Sequence, residues 1–430
     1  MSNHNIQPLL NKYYLRASRA KGIYIYDESG KEYLDGSSGA VACSLGHSHE
    51  KILSVIKKQA DKLQFVYRSQ FGSAEADNLA EKLYRLSPQN AYAHSFFVNS
   101  GTEAIETAMK VALQYWQEQG QPEKNQFITR WKSYHGITMG ALSLSGHPLR
   151  RQRFESSLAK YPSLVADLEK DSIENQMIEF RNSIEKKGAK HIAAFVAEPI
   201  VGAAGTALTP QQGYYQQIRK ICDEYGILFI ADEVMTGLGR TGAWLALEHW
   251  QTIADIVTVG KSLGAGYASI AATMMTEKIL EPIKKGSGLI MSGHTYSGHP
   301  LSCATALKVL EVIEEDRLIE NVNGQGDYIK SGLIKLKDRY NFIDVVRGKG
   351  LLIGFEFSPL AKGLQSKFID TCFQKGLLVY PAVGGTLGTD ENGILIAPPF
   401  IITKTESDEL LAKVDDALKH VSKDVWYESF

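Results

Sequence analysis

Residues Ala254–Ile270, ADIVTVGKSLGAGYASI, decide how the chain folds. Ile256, Val257 and Val259 form a short apolar run of the kind that becomes a buried strand, and it stops at Gly260-Lys261-Ser262. Gly264-Ala265-Gly266 follows, so a lysine ends a strand among residues too small to crowd it. Glycines let a backbone or a ligand approach closely, and a lysine held in a dry place can lose its proton and act as a nucleophile. Three plainer readings compete. Most lysines are solvated surface charges, some are buried for purely structural reasons, and GKS also ends a Walker phosphate loop. That loop needs a glycine at position 255, which is Asp255 here.

Around this stretch, residues from about 75 to 320 alternate amphipathic helices with short apolar strands: SFFVNSG, QFITRW, HIAAFVAEP, ILFIADEV, ADIVTVGK and SIAATMMT. The alternation predicts an α/β fold with a mostly parallel sheet covered on both faces. Ligands of such sheets bind beyond the carboxyl ends of the strands, so the polar residues after each strand are the candidates.

After SFFV, Ser100-Gly101-Thr102 opens a helix whose apolar face is Ile105, Ala108, Met109, Ala112, Leu113 and Trp116. Free N–H groups, the helix dipole and two hydroxyls suit a phosphate there, although the same residues serve equally as a simple N-cap. After QFITRW, Tyr134-His135-Gly136 either stacks on a flat ring or makes a packed turn. Glu198, after HIAAFVA, and Asp232-Glu233, after ILFIA, put carboxylates at the sheet edge, where burial requires a cationic partner. Gly237, Gly239 and Gly242 in TGLGRTG imitate a dinucleotide fingerprint, but two carboxylates intervene and the motif comes late in the sheet. A nicotinamide oxidoreductase is the rival of a different class.

The chain has 430 residues, 44% of them hydrophobic, with a formal net charge of -1, which allows two or three domains and gives no electrostatic case for nucleic acid or membrane. No apolar run spans a bilayer and the N-terminus lacks the core of a signal peptide, so a soluble cytoplasmic protein is expected. Cys43, Cys222, Cys303 and Cys372 show no CxxC spacing, and no metal site is expected. A strand pair turns at Glu28–Lys31, a capped amphipathic helix is expected from Ser48 to Leu63, and FVYRSQF, with Arg68, is aromatic and aperiodic. A polar loop, HTYSGHP, leads into a helix over 301–314, and a last helix is expected from Ser407 to about Val421. Residues 1–60 and 325–430 are expected to form a smaller α+β domain beside a large domain at 61–324.

Ser100-Gly101-Thr102, Tyr134, Asp232 and Lys261 are together the parts that a pyridoxal phosphate site needs: a phosphate cradle, a stacking aromatic, an acid for the ring nitrogen and a Schiff-base lysine. On NSGTEAIETAMK, YHGITMGALS, AEPI, ADEVMTGLGRTG, VGKSLGAG, HTYSGHP and VRGKGLLIGFEF, the chain resembles the class III (ω-type) aminotransferases of PLP fold type I over nearly its whole length. The resemblance implies a large domain with a mostly parallel seven-stranded sheet. It also implies a ping-pong transfer of an amino group from an amine or ω-amino acid to a 2-oxo acid, and a homodimer with shared active sites. Lys261 is similar to the Schiff-base lysine, Asp232 to the ring-nitrogen partner, and Tyr134, next to His135, to the stacking aromatic. Ser100, Gly101 and Thr102 resemble the phosphate loop, Thr295 the phosphate contact from the second subunit, and Glu198 the active-site gate.

Two departures stand out. Many members carry a glutamine where this chain has Met235. Members acting on 2-oxoglutarate or pyruvate hold the substrate carboxylate with an arginine near the C-terminal strand. GTLGTDENGILIAPPF has none; Gly388 and Leu395 stand near the place. Arg68 is the first candidate to replace it, with Arg150 and Arg151, which otherwise read as an exposed basic turn. The rival on the same scaffold is a PLP-dependent amino-acid racemase or epimerase, which needs no second substrate.

Overall fold

The predicted alternation folds into one seven-stranded sheet in the computed structural model, which describes residues 4–359, 361, 363–384 and 388–425. The strand order across the sheet is His94–Val98, Ala271–Met275, Ile256–Val259, Leu228–Asp232, Ile192–Ala197, Gln126–Arg130 and Pro162–Leu164. Ala271–Met275 runs antiparallel to both neighbours, and the pairings from Ile256–Val259 to Pro162–Leu164 are parallel. Six of the strands are the apolar runs read from the sequence, and the seven-stranded sheet that the resemblance implies is completed by Pro162–Leu164 at the edge, where a proline does not break a ladder.

The central strands are buried along their whole length, as a parallel sheet between two helical layers requires. Alternate residues of Leu228–Asp232 feed opposite cores. Phe229 and Ala231 pack with Tyr215, Ile218 and Cys222 of the helix Tyr214–Tyr225, whereas Leu228 and Ile230 pack with Ala104, Ile105 and Ala108 of Gly101–Glu118. Period-2 alternation therefore sends the Asp232 side chain toward the layer that begins at Gly101.

A third core, including Ile23, Leu34, Phe355, Phe368, Leu377 and Val414, joins the two ends of the chain. Glu32–Asp35 pairs in parallel with Leu377–Leu378, and Ile343–Lys349, Leu352–Phe357, Asp390–Ile396 and Tyr380–Gly384 make an antiparallel sheet. No helix among the described residues is long and apolar enough to cross a membrane.

Two local expectations change. The helix placed from Ser48 begins at Glu50; Ser48 sits at φ +57° and gives its hydroxyl to the Ala20 carbonyl instead of capping. The last helix runs Lys404–Val425, because Thr403 and Glu406 close a reciprocal capping box ahead of Ser407. TGLGRTG opens no helix: Gly239 packs on Phe400, and Arg240, fully buried, donates to the Leu351 and Pro398 carbonyls. These glycines serve turns and packing, which removes the dinucleotide reading.

Candidate active site

The strand Ile256–Val259 ends at Gly260, and Lys261 then takes φ +40°, a left-handed conformation that costs a non-glycine residue on the order of 1 kcal/mol. That turn directs the side chain off the sheet edge into a cavity of about 200 Å³. Gly101, Thr102, Tyr134, His135, Glu198 and Asp232 line the same cavity, so residues after four different strands converge on Lys261. Ser100 lines an adjoining opening with Gly101 and Lys261.

The Lys261 ammonium has no hydrogen-bond acceptor among the described residues. Burial pushes it down to about 8; the Asp232 and Glu198 carboxylates oppose the shift, and the Arg240 and Arg150 charges add to it. About a tenth of the amine is then unprotonated at pH 7, against well under a thousandth for an ordinary lysine.

Asp232 is 4% exposed and held on both oxygens. Oδ2 is 2.8 Å from His135 Nδ1, and Oδ1 accepts from the Val234 N–H at 3.1 Å and the Thr258 hydroxyl at 3.3 Å. His135 is anchored in turn by its own N–H on Ser145 Oγ at 2.8 Å, while its buried Nε2 has no partner among the described residues. Glu198 is buried too: Oε1 takes the Tyr134 N–H at 2.8 Å and Oε2 the Gly202 N–H at 3.1 Å. Burial pushes this carboxyl up, Asp232 pushes it further, and His135 opposes.

At the start of Gly101–Glu118, Ser100 is the N-cap, its hydroxyl accepting the Glu103 N–H at 3.3 Å. The plainer capping role is thus realised by its side chain, while the first backbone N–H groups of the helix keep no intrahelical partner. Thr102 Oγ1 accepts the Ile137 N–H at 3.1 Å and ties this helix to the loop that carries Tyr134 and His135. Gly136, at φ +135°, allows the contact: a Cβ there would lie 2.1 Å from Thr102 Oγ1.

Sequence reasoning missed Val234, which also lines the cavity. A Cβ on Gly101 would come within 2.5 Å of a Val234 methyl, so this glycine lets the helix start close over the strand end. The signal was present, since Val234 lies two residues after Asp232. Met235 lines the cavity with a thioether, which makes no strong hydrogen bond.

The three arginines separate. Arg68 is exposed and off the cavity wall, with Nη2 on the Ser292 carbonyl at 2.9 Å and the guanidinium 4.3 Å from the Phe96 ring centre. Arg151 is not part of an exposed turn. It is 1% exposed, donates to the Leu142, Ser143 and Ser145 carbonyls and pairs with Glu155, so it holds the loop and not a ligand. Arg150 is half-buried, 4.5 Å from the centre of the Tyr134 ring. Thr295 is exposed and does not line its own chain's cavity. Of the arginine-free stretch, 385–387 lie outside the described residues; Gly388 packs near Lys132 and the Ala204 carbonyl, and Leu395 is fully buried.

The residues present fit pyridoxal phosphate. An unpartnered amine, a buried carboxylate backed by histidine, an aromatic and the open N–H groups of a helix start surround one cavity, and His135 Nε2 is a buried polar atom left without a partner.

Comparison with known proteins gives the same direction. The aminotransferase class-III family model matches residues 7–418. The chain is 46% identical to the uncharacterized aminotransferase YodT of Bacillus subtilis, over 99% of each. It is similar to a transaminase from the marine bacterium Virgibacillus, with a TM-score of 0.93, 31% identity and 98% of both chains covered. A further neighbour, 31% identical with a TM-score of 0.90 over 98% of this chain and 99% of its own, is an amine transaminase from an uncultivated Pseudomonas species in its PLP-bound form. The chain belongs to the class III aminotransferases, which are pyridoxal-phosphate enzymes of the fold seen here.

Proposed function

We propose that this enzyme moves an amino group from an amine or ω-amino acid to a 2-oxo acid in two half-reactions at one site. The observation that carries the proposal is the meeting of Lys261, walled in and unpartnered, with the Asp232–His135 pair in a single cavity. Pyridoxal phosphate, when bound, supplies an electron sink that stabilises a carbanion at the donor's carbon. Lys261 would hold the cofactor's aldehyde carbon, and its Nζ would take the proton from the donor carbon and return it elsewhere. Asp232 would keep the ring nitrogen protonated, and His135 fixes the orientation of Asp232. Tyr134 would cover the ring, Glu198 would gate the site from its position on the wall, and Ser100, Gly101 and Thr102 would take the phosphate on the helix start.

A homodimer belongs to this proposal. Thr295 is exposed and lies off the wall of its own cavity, and in a dimer it would complete the other copy's phosphate site. The exposed apolar residues Leu289, Met291 and Tyr296 are near it in the chain, and the Phe65 and Tyr296 rings are 5.6 Å apart. Such a patch suits a covering partner.

The test is a pair of spectral half-reactions on the purified holoenzyme. An amine or ω-amino acid should bleach the visible cofactor band, and a 2-oxo acid should restore it. Failure of every donor to bleach the band refutes the proposal. Sustained inversion of an amino acid in deuterated water, with label at Cα and no oxo acid present, would assign a racemase or epimerase instead.

A further inference from the structure

Arg150 sits on the short helix Pro148–Arg151 beside Arg151, yet the two have opposite surroundings. Arg151 is engaged by three carbonyls and a carboxylate, whereas the Arg150 guanidinium has no ion pair or hydrogen bond among the described residues. Its guanidinium lies 4.5 Å from the Tyr134 ring centre, and its charge reaches Lys261 strongly enough to help lower that ammonium. A half-buried cation held beside an active-site lysine without a counter-charge is costly unless an anion joins it.

The same side chain lines a second cavity, of about 230 Å³, with His147, Ala203, Ala382 and Val383. His147 is 5% exposed, its ring stands edge-on to Tyr134 at 6.5 Å, and its Nδ1 has no partner. Burial, then the Arg150 charge, holds its imidazole down at about 4, so it is neutral at working pH and one ring nitrogen carries a donor proton. Glu391 is the carboxylate on this cavity's wall; it is exposed and forms no ion pair with Arg150. A fork-shaped cation and a buried imidazole, both unpartnered and both against Tyr134, make a carboxylate-binding subsite next to the amine.

We infer that Arg150, assisted by His147, binds the substrate carboxylate in this enzyme, in place of an arginine on the C-terminal strand. The inference rests on the aminotransferase reading and deepens it. Substrate would lie with its amino or oxo carbon at Lys261 and its carboxylate against Arg150, beside the Tyr134 ring.

The experiment compares wild type, Arg150→Gln and Arg150→Lys holoenzyme on two donor pairs, 4-aminobutanoate with n-butylamine and alanine with ethylamine. The readout is the ratio of the half-reaction rate constants per molar substrate within each pair. Arg150→Gln should lower the carboxylate-to-amine ratio by at least about 30-fold through a weaker apparent affinity, and Arg150→Lys should restore part of it. Retained visible absorbance and an unchanged Tm establish that the variants fold and hold the cofactor. A second arm needs no turnover: butanoate titrated calorimetrically into apoprotein should bind wild type and not Arg150→Gln. Equal losses on both members of a pair would mean that Arg150 only steadies Tyr134, and an unmoved ratio or equal butanoate binding would also overturn the inference. If no donor bleaches the wild-type band, the aminotransferase proposal itself fails, and the butanoate arm still decides the subsite.

Discussion

Replacing Asp232 by asparagine keeps the shape of the side chain while removing its charge, and the surrounding geometry states what should follow. The Val234 N–H lies 3.1 Å from Oδ1, so the amide oxygen must take that position and the amide NH₂ must face His135 Nδ1, 2.8 Å from the present Oδ2. Nδ1 then has to accept where it had donated, and its proton moves to Nε2, which has no acceptor in the apoprotein. Loss of one charge-assisted bond is worth about 1.5–3 kcal/mol. If that energy also holds the ring proton of the cofactor, then at about 1.4 kcal/mol per decade the donor half-reaction slows by about 10- to 150-fold. His135→Asn attacks the same bond from the other side and should produce a smaller loss. Because both substitutions break the same bond, the double variant should be no slower than Asp232→Asn alone. Stopped-flow decay of the visible band, with saturating donor, measures all three. Asp232→Asn within about twofold of wild type, or losses that multiply in the double variant, would refute the reasoning.

Other outcomes follow from individual contacts. Gly136→Ala puts a Cβ 2.1 Å from Thr102 Oγ1 on a backbone at φ +135°, and should destabilise the protein by about 2–4 kcal/mol in urea titrations; an unchanged midpoint would contradict the strain assigned there. His47, hydrogen-bonded to Asp35 and next to Cys43, is raised from 6.5 to about 10. A raised folded-state pKa gives stability fully present below 6.5 and lost as pH rises through 10, so His47→Gln should flatten the stability curve across that window. The depressed Lys261 ammonium predicts that amine acylation at this residue in the apoprotein rises with pH around a midpoint near 8; a midpoint near 10.5 would show that the side chain is solvated.

The chain spells out the large sheet because its strands are apolar runs ended by polar residues, and that is also why Lys261, Asp232, Glu198 and Tyr134 were legible. Each had only to follow a strand to reach the carboxyl edge. Pro162–Leu164 was not legible, since three residues carry no period and its pairing with Thr129 and Arg130 is a long-range event. The bond from His135 to Asp232 spans 97 positions, and nothing local to either residue announces it. Arg150 and Arg151 show the limit most plainly. Neighbours on a helix point about 100° apart, so one is sealed under carbonyls and the other stands against Tyr134. Composition records two positive charges; only packing separates the structural one from the available one.

Borohydride reduction of the holoenzyme followed by peptide mapping tests the central claim most directly. The account predicts a pyridoxyl group on the peptide that carries Lys261 and nowhere else, and its absence from Lys261→Ala treated in the same way. A pyridoxyl group on any other lysine of the wild type, or a visible cofactor band that leaves Lys261 unmodified after reduction, would contradict it.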